Sequence, residues 1–228
     1  MRKLSCVARF VLVAFVVVVA ARSPARAAQE VAVRLSAELG GDSGLYATGG
    51  SKTLLQAELG YAHTVYSFRR GQLWVEGSWT IGERHDRLFS TFDTSLLVQQ
   101  FTVGARATFP IRPWLVPQVR GGVGALLGTL RMNGLQSGAV SETGAGFTGY
   151  VLAGLQLLLP RPWMALHASR GITAGLVLEG GYCYSTSLRY TLSPQSSGDA
   201  VQMPSVPTDL GTLSLSGGLI RIGALLRF

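Results

Sequence analysis

Apolar and polar residues alternate one by one along most of this chain. In "EVAVRLSAELG" (30–40), Val31, Val33, Leu35, Ala37 and Leu39 share one parity, and Arg34, Ser36 and Glu38 share the other. A period of two marks a β-strand with two unlike faces. The pattern recurs at 54–65, where Leu55, Ala57, Leu59 and Tyr61 oppose Gln56, Glu58 and Gly60. At 71–81, Leu73, Val75, Trp79 and Ile81 oppose Gln72, Glu76, Ser78 and Thr80, and Trp74 breaks the pattern by falling on the polar side. Further strands are predicted at 95–109, 114–127, 144–159, 163–180 and about 213–228. That makes eight, most of them longer than the five or six residues usual in soluble domains and long enough for the ~9–11 a membrane-spanning strand needs.

The connectors between these strands are read as alternately long and short. Residues 41–52, 82–94, 128–142 and roughly 184–211 are long, while 66–71, 110–113 and 160–162 are short. The last long connector, rich in Ser, Pro and Gly, reads as loop. Membrane barrels have short turns at one end and longer loops at the other. A soluble periplasmic ligand-binding barrel has no reason to sort its loops this way, and it would put the apolar face inside. Pro117 falls within the fifth predicted strand and calls for a bulge or an unpaired position.

In hydrocarbon every backbone N–H and C=O must pair within the protein, and a closed sheet does this without edges. The expected architecture is therefore all-β, a closed eight-stranded antiparallel up-and-down transmembrane barrel. One parity faces lipid. The other places Arg34, Glu38, Glu58, Glu76, Arg106, Arg120, Glu179 and Arg221 in the interior. Eight strands enclose a space that side chains can fill, so acid and base on facing walls are expected to pair and plug it. Closure brings the last strand beside the first and predicts Arg221 near Glu38 or Arg34. Pro-Trp at 113–114 and 162–163 opens two strands, and Trp114 and Trp163 are expected in the interface belt.

The opening residues set the compartment. "MRKLSCVARF" is basic, "VLVAFVVVVA" is a short apolar run, and "ARSPARA" supplies Ala25 and Ala27 before "AQE". This reads as a signal peptide, residues 1–27, with 28–228 as one mature domain. The formal charge of the whole chain is +8. Removing Arg2, Lys3, Arg9, Arg22 and Arg26 leaves 15 basic and 12 acidic residues, or +3. The basic character belongs largely to the leader and gives no argument for nucleic acid. Cys183 is then the one mature cysteine, and His63, His85 and His167 lack metal-ligand spacing. No metal or cofactor is expected.

The final strand, "SLSGGLIRIGALLRF", places Ile220, Ile222, Ala224, Leu226 and Phe228 on one apolar parity and ends in Phe. Such a strand resembles the terminal signal of bacterial outer-membrane barrels, which the assembly machinery of that membrane recognises. With the leader and the loop pattern, the chain resembles the small eight-stranded bacterial outer-membrane β-barrel domain family. The resemblance implies a Gram-negative outer-membrane location reached through the general secretory route. It also implies contact with outer-membrane lipid and the barrel-assembly machinery, a monomer, and an extracellular partner met by the long loops. Members include structural barrels, surface-interaction factors, small-solute pores and a few enzymes, so the fold does not choose the function.

The leading reading is a non-enzymatic structural or surface-interaction role. A small passive pore is an alternative. So is an acyl hydrolase: "HASRG" puts His167 and Ser169 on one strand face with Glu179 further on, the residue types of a base, a nucleophile and an orienting acid. That run resembles the His-x-Ser-Asn motif of outer-membrane lipid A deacylases, although Arg170 stands where the motif has Asn.

Overall fold

The structure, a computed structural model, describes residues 28–40, 53–88, 92–133, 140–159, 172–192 and 208–228. The described residues form ten strands: β1 (Gln29–Gly40), β2 (Thr53–Phe68), β3 (Gly71–Leu88), β4 (Phe92–Thr108), β5 (Leu115–Asn133), β6 (Val140–Leu158), β7 (Thr173–Ser185), β8 (Leu188–Leu192), β9 (Thr208–Leu213) and β10 (Gly217–Arg227). Eight of them close into an antiparallel barrel in the order β1-β10-β7-β6-β5-β4-β3-β2. Each barrel strand pairs with its sequence neighbour, and β1 meets β10 in an unbroken register from Glu30↔Arg227 to Gly40↔Gly217. Gln29 and Phe228 exchange both backbone hydrogen bonds, at 2.8 and 2.9 Å, so the seam is closed to its last residue.

The alternation sorts the side chains. Val103, Val123 and Phe147 point outward and are 66, 66 and 74 % exposed, whereas Trp74 and Arg106 point inward and are fully buried. The exterior is thus the greasier surface, the inverse of a water-soluble protein. Outward aromatics form two rows. Tyr66, Phe68, Phe109, Trp114 and Phe228 ring the end that carries the termini and the short turns. Trp79 and Phe101, stacked at 6.4 Å, continue through Ala125 to Phe147 along one line of paired residues. Between the rows the outward residues are mainly aliphatic, including Leu35, Val75, Val103, Val151, Leu178 and Ile222.

Several sequence expectations need correcting. The stretch 184–211 is not loop throughout, since it supplies β8 and β9, which form a separate hairpin. Strands of five and six residues flanking a Ser/Pro-rich run leave little periodicity to detect. The connectors 82–94 and 128–142 are also largely strand, because the β3–β4 ladder runs to Leu88↔Phe92 and the β5–β6 ladder to Met132↔Val140. Beyond the upper aromatic row the outward residues become polar, as at Glu83, His85 and Arg131, and a polar strand in water looks like a loop by composition. Of the strand expected at 163–180, the described part is β7 from Thr173, and residues 160–171 lie outside the described part. Pro117 needs no bulge. It pairs in register with Leu155, and its carbonyl accepts the Phe109 N–H at 2.9 Å at the end of the β4–β5 ladder, where the missing donor costs little. The irregularity falls instead in β2, between Thr64 and Tyr66.

The inner faces of β2, β4 and β5 at the end away from the termini carry an apolar patch, and β8 with the residues after β9 covers it. Leu188, Tyr190 and Leu215 pack on Leu54, Leu96, Val98 and Leu126. Both ends of the hairpin are tied: the Leu215 N–H donates to Ser185 Oγ at 2.7 Å, and the Ser185 N–H donates to Ser216 Oγ at 2.9 Å. Thr186 and Phe147 bond reciprocally at 2.9 Å. Gly128 makes the seat, because a Cβ there would run into the Tyr190 hydroxyl and the Leu188 side chain. Gly128→Leu is expected to unseat the hairpin, so that trypsin cleaves after Arg189 roughly tenfold faster, following the population of the open form. Heat-modifiable migration of the barrel itself should stay unchanged.

Candidate functional site

The centre of the barrel is a compact array of arginine, glutamate, glutamine and aromatic side chains. Register sets most of it. Arg34 on β1 lies directly opposite Glu58 on β2, and Arg221 on β10 opposite Glu179 on β7. Arg34 Nη1 donates to Glu58 Oε1 at 2.6 Å. Arg120, from β5, spans the barrel. Its Nε donates to Glu76 at 2.6 Å, Nη1 to Glu179 at 3.2 Å and Nη2 to Glu58 at 3.3 Å. Arg221 Nη1 approaches Glu58 Oε2 at 2.6 Å.

Tyr150, on β6, sits between two cations. The Arg120 and Arg221 guanidinium carbons lie 5.0 and 5.2 Å from its ring centre, and its hydroxyl donates to Glu76 at 3.0 Å. A ring of that size fits because Gly122 faces it: a Cβ there would come within 2.8 Å of the phenol.

A second layer lies toward the termini. Glu30 accepts from Arg106 at 2.5 Å and from Arg227 at 2.8 Å. Both guanidinium carbons stand over Trp74, at 5.0 and 4.8 Å from its ring centre, and the Trp74 indole N–H donates to Thr108 at 3.1 Å. A glutamine chain joins the layers: Arg227 donates to Gln156 at 2.7 Å, Gln156 to Gln118 at 2.7 Å, and Gln118 to Glu179 at 2.6 Å. On the opposite side Gln56 donates to Glu38 at 2.9 Å. Arg106 and Arg120 are direct cross-strand partners, a like-charge pair that is unfavourable by itself. Glu76 lies between them, 3.9 Å from Arg106 and 2.6 Å from Arg120, and beyond it Arg106 turns toward Glu30 and Arg120 toward Glu58 and Glu179.

All eight interior residues chosen from parity, Arg34, Glu38, Glu58, Glu76, Arg106, Arg120, Glu179 and Arg221, are buried here. Arg221 lies where closure places it, opposite Ser36 and between Arg34 and Glu38, and its guanidinium also reaches Glu58, which gathers three arginines at the barrel centre. Glu30, Gln156, Tyr150, Trp74 and Arg227 complete the array. Their parity marks them as interior, but parity does not reveal which strand each reaches across to.

In these two layers five arginines (34, 106, 120, 221, 227) balance five glutamates (30, 38, 58, 76, 179) when all are ionised, with Glu38 held by Gln56; Arg84 is a further buried charge. The space among Glu30, Arg34, Glu76 and Arg120 does not admit a water molecule.

For the acyl-hydrolase alternative, Glu179 is held by Gln118, Arg120 and Arg34, whereas His167 and Ser169 lie outside the described residues. Trp163 does too. Trp114 is exposed at the turn end, and its carbonyl accepts the Leu158 N–H at 2.8 Å. Ile220, Ile222, Ala224 and Phe228 face outward, with Leu226 half-buried among them. Among the described residues no group of three His, Cys, Asp or Glu is placed to hold a metal.

No protein-family model and no curated protein matches the chain. Solved structures are similar in shape. Ail, the attachment invasion locus protein of Yersinia pestis, crystallised with the heparin analogue sucrose octasulfate, is 18 % identical over 89 % of this chain and 97 % of its own, with a TM-score of 0.45. Neisserial surface protein A is 13 % identical over 88 % and 94 %, with a TM-score of 0.36. The transport unit of the Escherichia coli autotransporter AIDA-I is 11 % identical over 92 % and 93 %, with a TM-score of 0.37. The strand pairings establish the fold on their own: the chain is a closed eight-stranded antiparallel β-barrel, the architecture of the small outer-membrane barrels that the sequence resembles.

Removing one side of a buried charge array leaves the other side uncompensated. Glu58→Leu is expected to lower unfolding free energy in detergent micelles by about 3–5 kcal/mol, since three arginines lose a shared carboxylate. Thr129→Ala, at an exposed threonine pair, should stay within about 0.5 kcal/mol. Urea titration of tryptophan fluorescence reads both.

Proposed function

We propose that the protein is a bacterial outer-membrane barrel, exported with loss of residues 1–27, whose role is structural and surface-interacting rather than enzymatic. One observation carries this reading: an apolar exterior, banded by two aromatic rows, encloses an interior in which buried arginines and glutamates are closely packed together. That polarity suits lipid outside, and the filled interior disfavours a solute path.

The 18 residues of β3 measure about 60 Å along the strand and rise about 45 Å at the usual tilt of roughly 40°. The hydrocarbon band takes about 25 Å of that. The remainder, capped by the β8–β9 hairpin, stands in water at the end opposite the termini and is the surface through which an external partner is met. The final strand, with Phe228 facing outward, supports recognition by the assembly machinery, and the barrel acts as a monomer.

Purified, refolded protein in planar bilayers is expected to show no reproducible unitary conductance. A stable, discrete opening would favour the pore reading instead. In cells, deleting Phe228 should reduce the heat-modifiable, membrane-fractionated form severalfold. Unchanged assembly would remove the role given to that residue.

A further inference from the structure

The end of the barrel that carries the termini differs in composition from the opposite end. Its two described turns, 66–71 and 109–114, hold Arg69, Arg70 and Arg112 and no Asp or Glu. All three arginines are exposed, and none has an ion-pair partner among the described residues. The far end mixes both signs, with Glu83 and Arg131 both exposed there.

The arginines also have a fixed depth. Arg69 and Arg70 directly follow Phe68, and Arg112 directly follows Ile111, so each lies one step beyond the outward ring of Tyr66, Phe68, Phe109, Ile111 and Trp114. Tyr66 stacks on Phe68 at 6.5 Å, and Phe68 meets Phe109 edge-on at 6.0 Å, which holds the ring in place. Between the two turns is an open basin lined by Phe68, Arg69, Arg70, Phe109, Ile111 and Arg227. Glu30 and Gln156 hold Arg227 at 2.8 and 2.7 Å on the barrel side of it.

Aromatic side chains settle at the boundary between hydrocarbon and headgroups. Cations one residue further out therefore stand at the level of lipid phosphates. A guanidinium fork binds two phosphate oxygens at once, and each such cation near an anionic surface adds attraction that salt screens.

We propose that this face is a binding surface for anionic phospholipid headgroups of the adjoining leaflet. Arg69, Arg70 and Arg112 take the phosphates, and Phe68, Phe109 and Ile111 pack against the upper part of an acyl chain. The proposal rests on the membrane-barrel reading above and names the lipid that this end of it selects.

The test uses the refolded full barrel in vesicles of phosphatidylcholine with a minor share of phosphatidylglycerol. Insertion is verified first by heat-modifiable migration. Electron paramagnetic resonance then measures association of spin-labelled phosphatidylglycerol and phosphatidylcholine with the protein. Phosphatidylglycerol should be favoured roughly threefold at low salt and should lose that preference at high salt. R69Q/R70Q/R112Q should abolish it, and R131Q, at the other end, should retain it.

Equal association of the two probes with inserted protein would overturn the proposal and leave the barrel reading intact. Failure to insert at all would remove both. A preference that survives R69Q/R70Q/R112Q, or that R131Q removes, would also overturn it. So would arginine-dependent co-sedimentation with peptidoglycan sacculi in the absence of a lipid preference, which would give this face to a wall polymer.

Discussion

The pairing of β1 with β10 is the constraint on which everything else depends. An open sheet of these strands would expose two rows of unpaired N–H and C=O groups, each costing several kcal/mol in hydrocarbon. Closing the seam from Glu30↔Arg227 to Gly40↔Gly217 satisfies both rows together. It also creates an inside. Arg34, Glu58, Arg221 and Glu179 come from β1, β2, β10 and β7, which are consecutive around the barrel only once the seam is made. The charge array is therefore a consequence of closure as much as a support for it.

A charged interior is an expensive way to fill a small barrel. Buried ion pairs rarely exceed well-packed hydrophobic residues in stability. What they add here is distinction between the two faces. Slipping a strand by one residue exchanges its faces, and in a barrel greasy on both sides such a slip would cost little. With Arg106 and Arg120 on the inner face, a slip places guanidinium groups in lipid. The array thus fixes the register of strands whose outward residues are interchangeable aliphatics. Trp74 and Tyr150, each flanked by two guanidinium groups, take up the volume that charged groups alone would leave.

The barrel is legible in the sequence because a period of two, interrupted at Trp74, runs through seven of the eight predicted wall strands, and because within those seven spans Arg and Glu fall on the interior parity. The seventh wall strand was harder to place. "WMALHASRGITAGLVLEG" alternates weakly at its start, and the described strand begins only at Thr173. The extended end of β3 looks like loop by composition because both of its faces beyond Gly82 carry polar residues, which removes the contrast that periodicity needs. The β8–β9 pair gives no sequence signal for the opposite reason: Leu188, Tyr190 and the following Leu215 are buried by contacts with β2, β4 and β5, and no local pattern announces a tertiary seat. Within the candidate site, parity named the interior residues but not their partners. Arg221 sits between Arg34 and Glu38 as closure requires, but its further reach to Glu58 depends on how many cations converge on one carboxylate, which a one-dimensional pattern does not contain.

The central claim is that alternate residues of one strand face lipid and a sealed interior. It is tested most directly by single spin labels placed through residues 147–157 of β6 in a Cys183→Ser background, with the barrel in vesicles. Collision with oxygen, which concentrates in hydrocarbon, is expected to peak at 147, 149, 151, 153, 155 and 157 and to fall at the positions between. Collision with a water-soluble nickel chelate should be low at both sets. Strong chelate contact at 151, 153 and 155, or the loss of any two-residue alternation, would contradict the account.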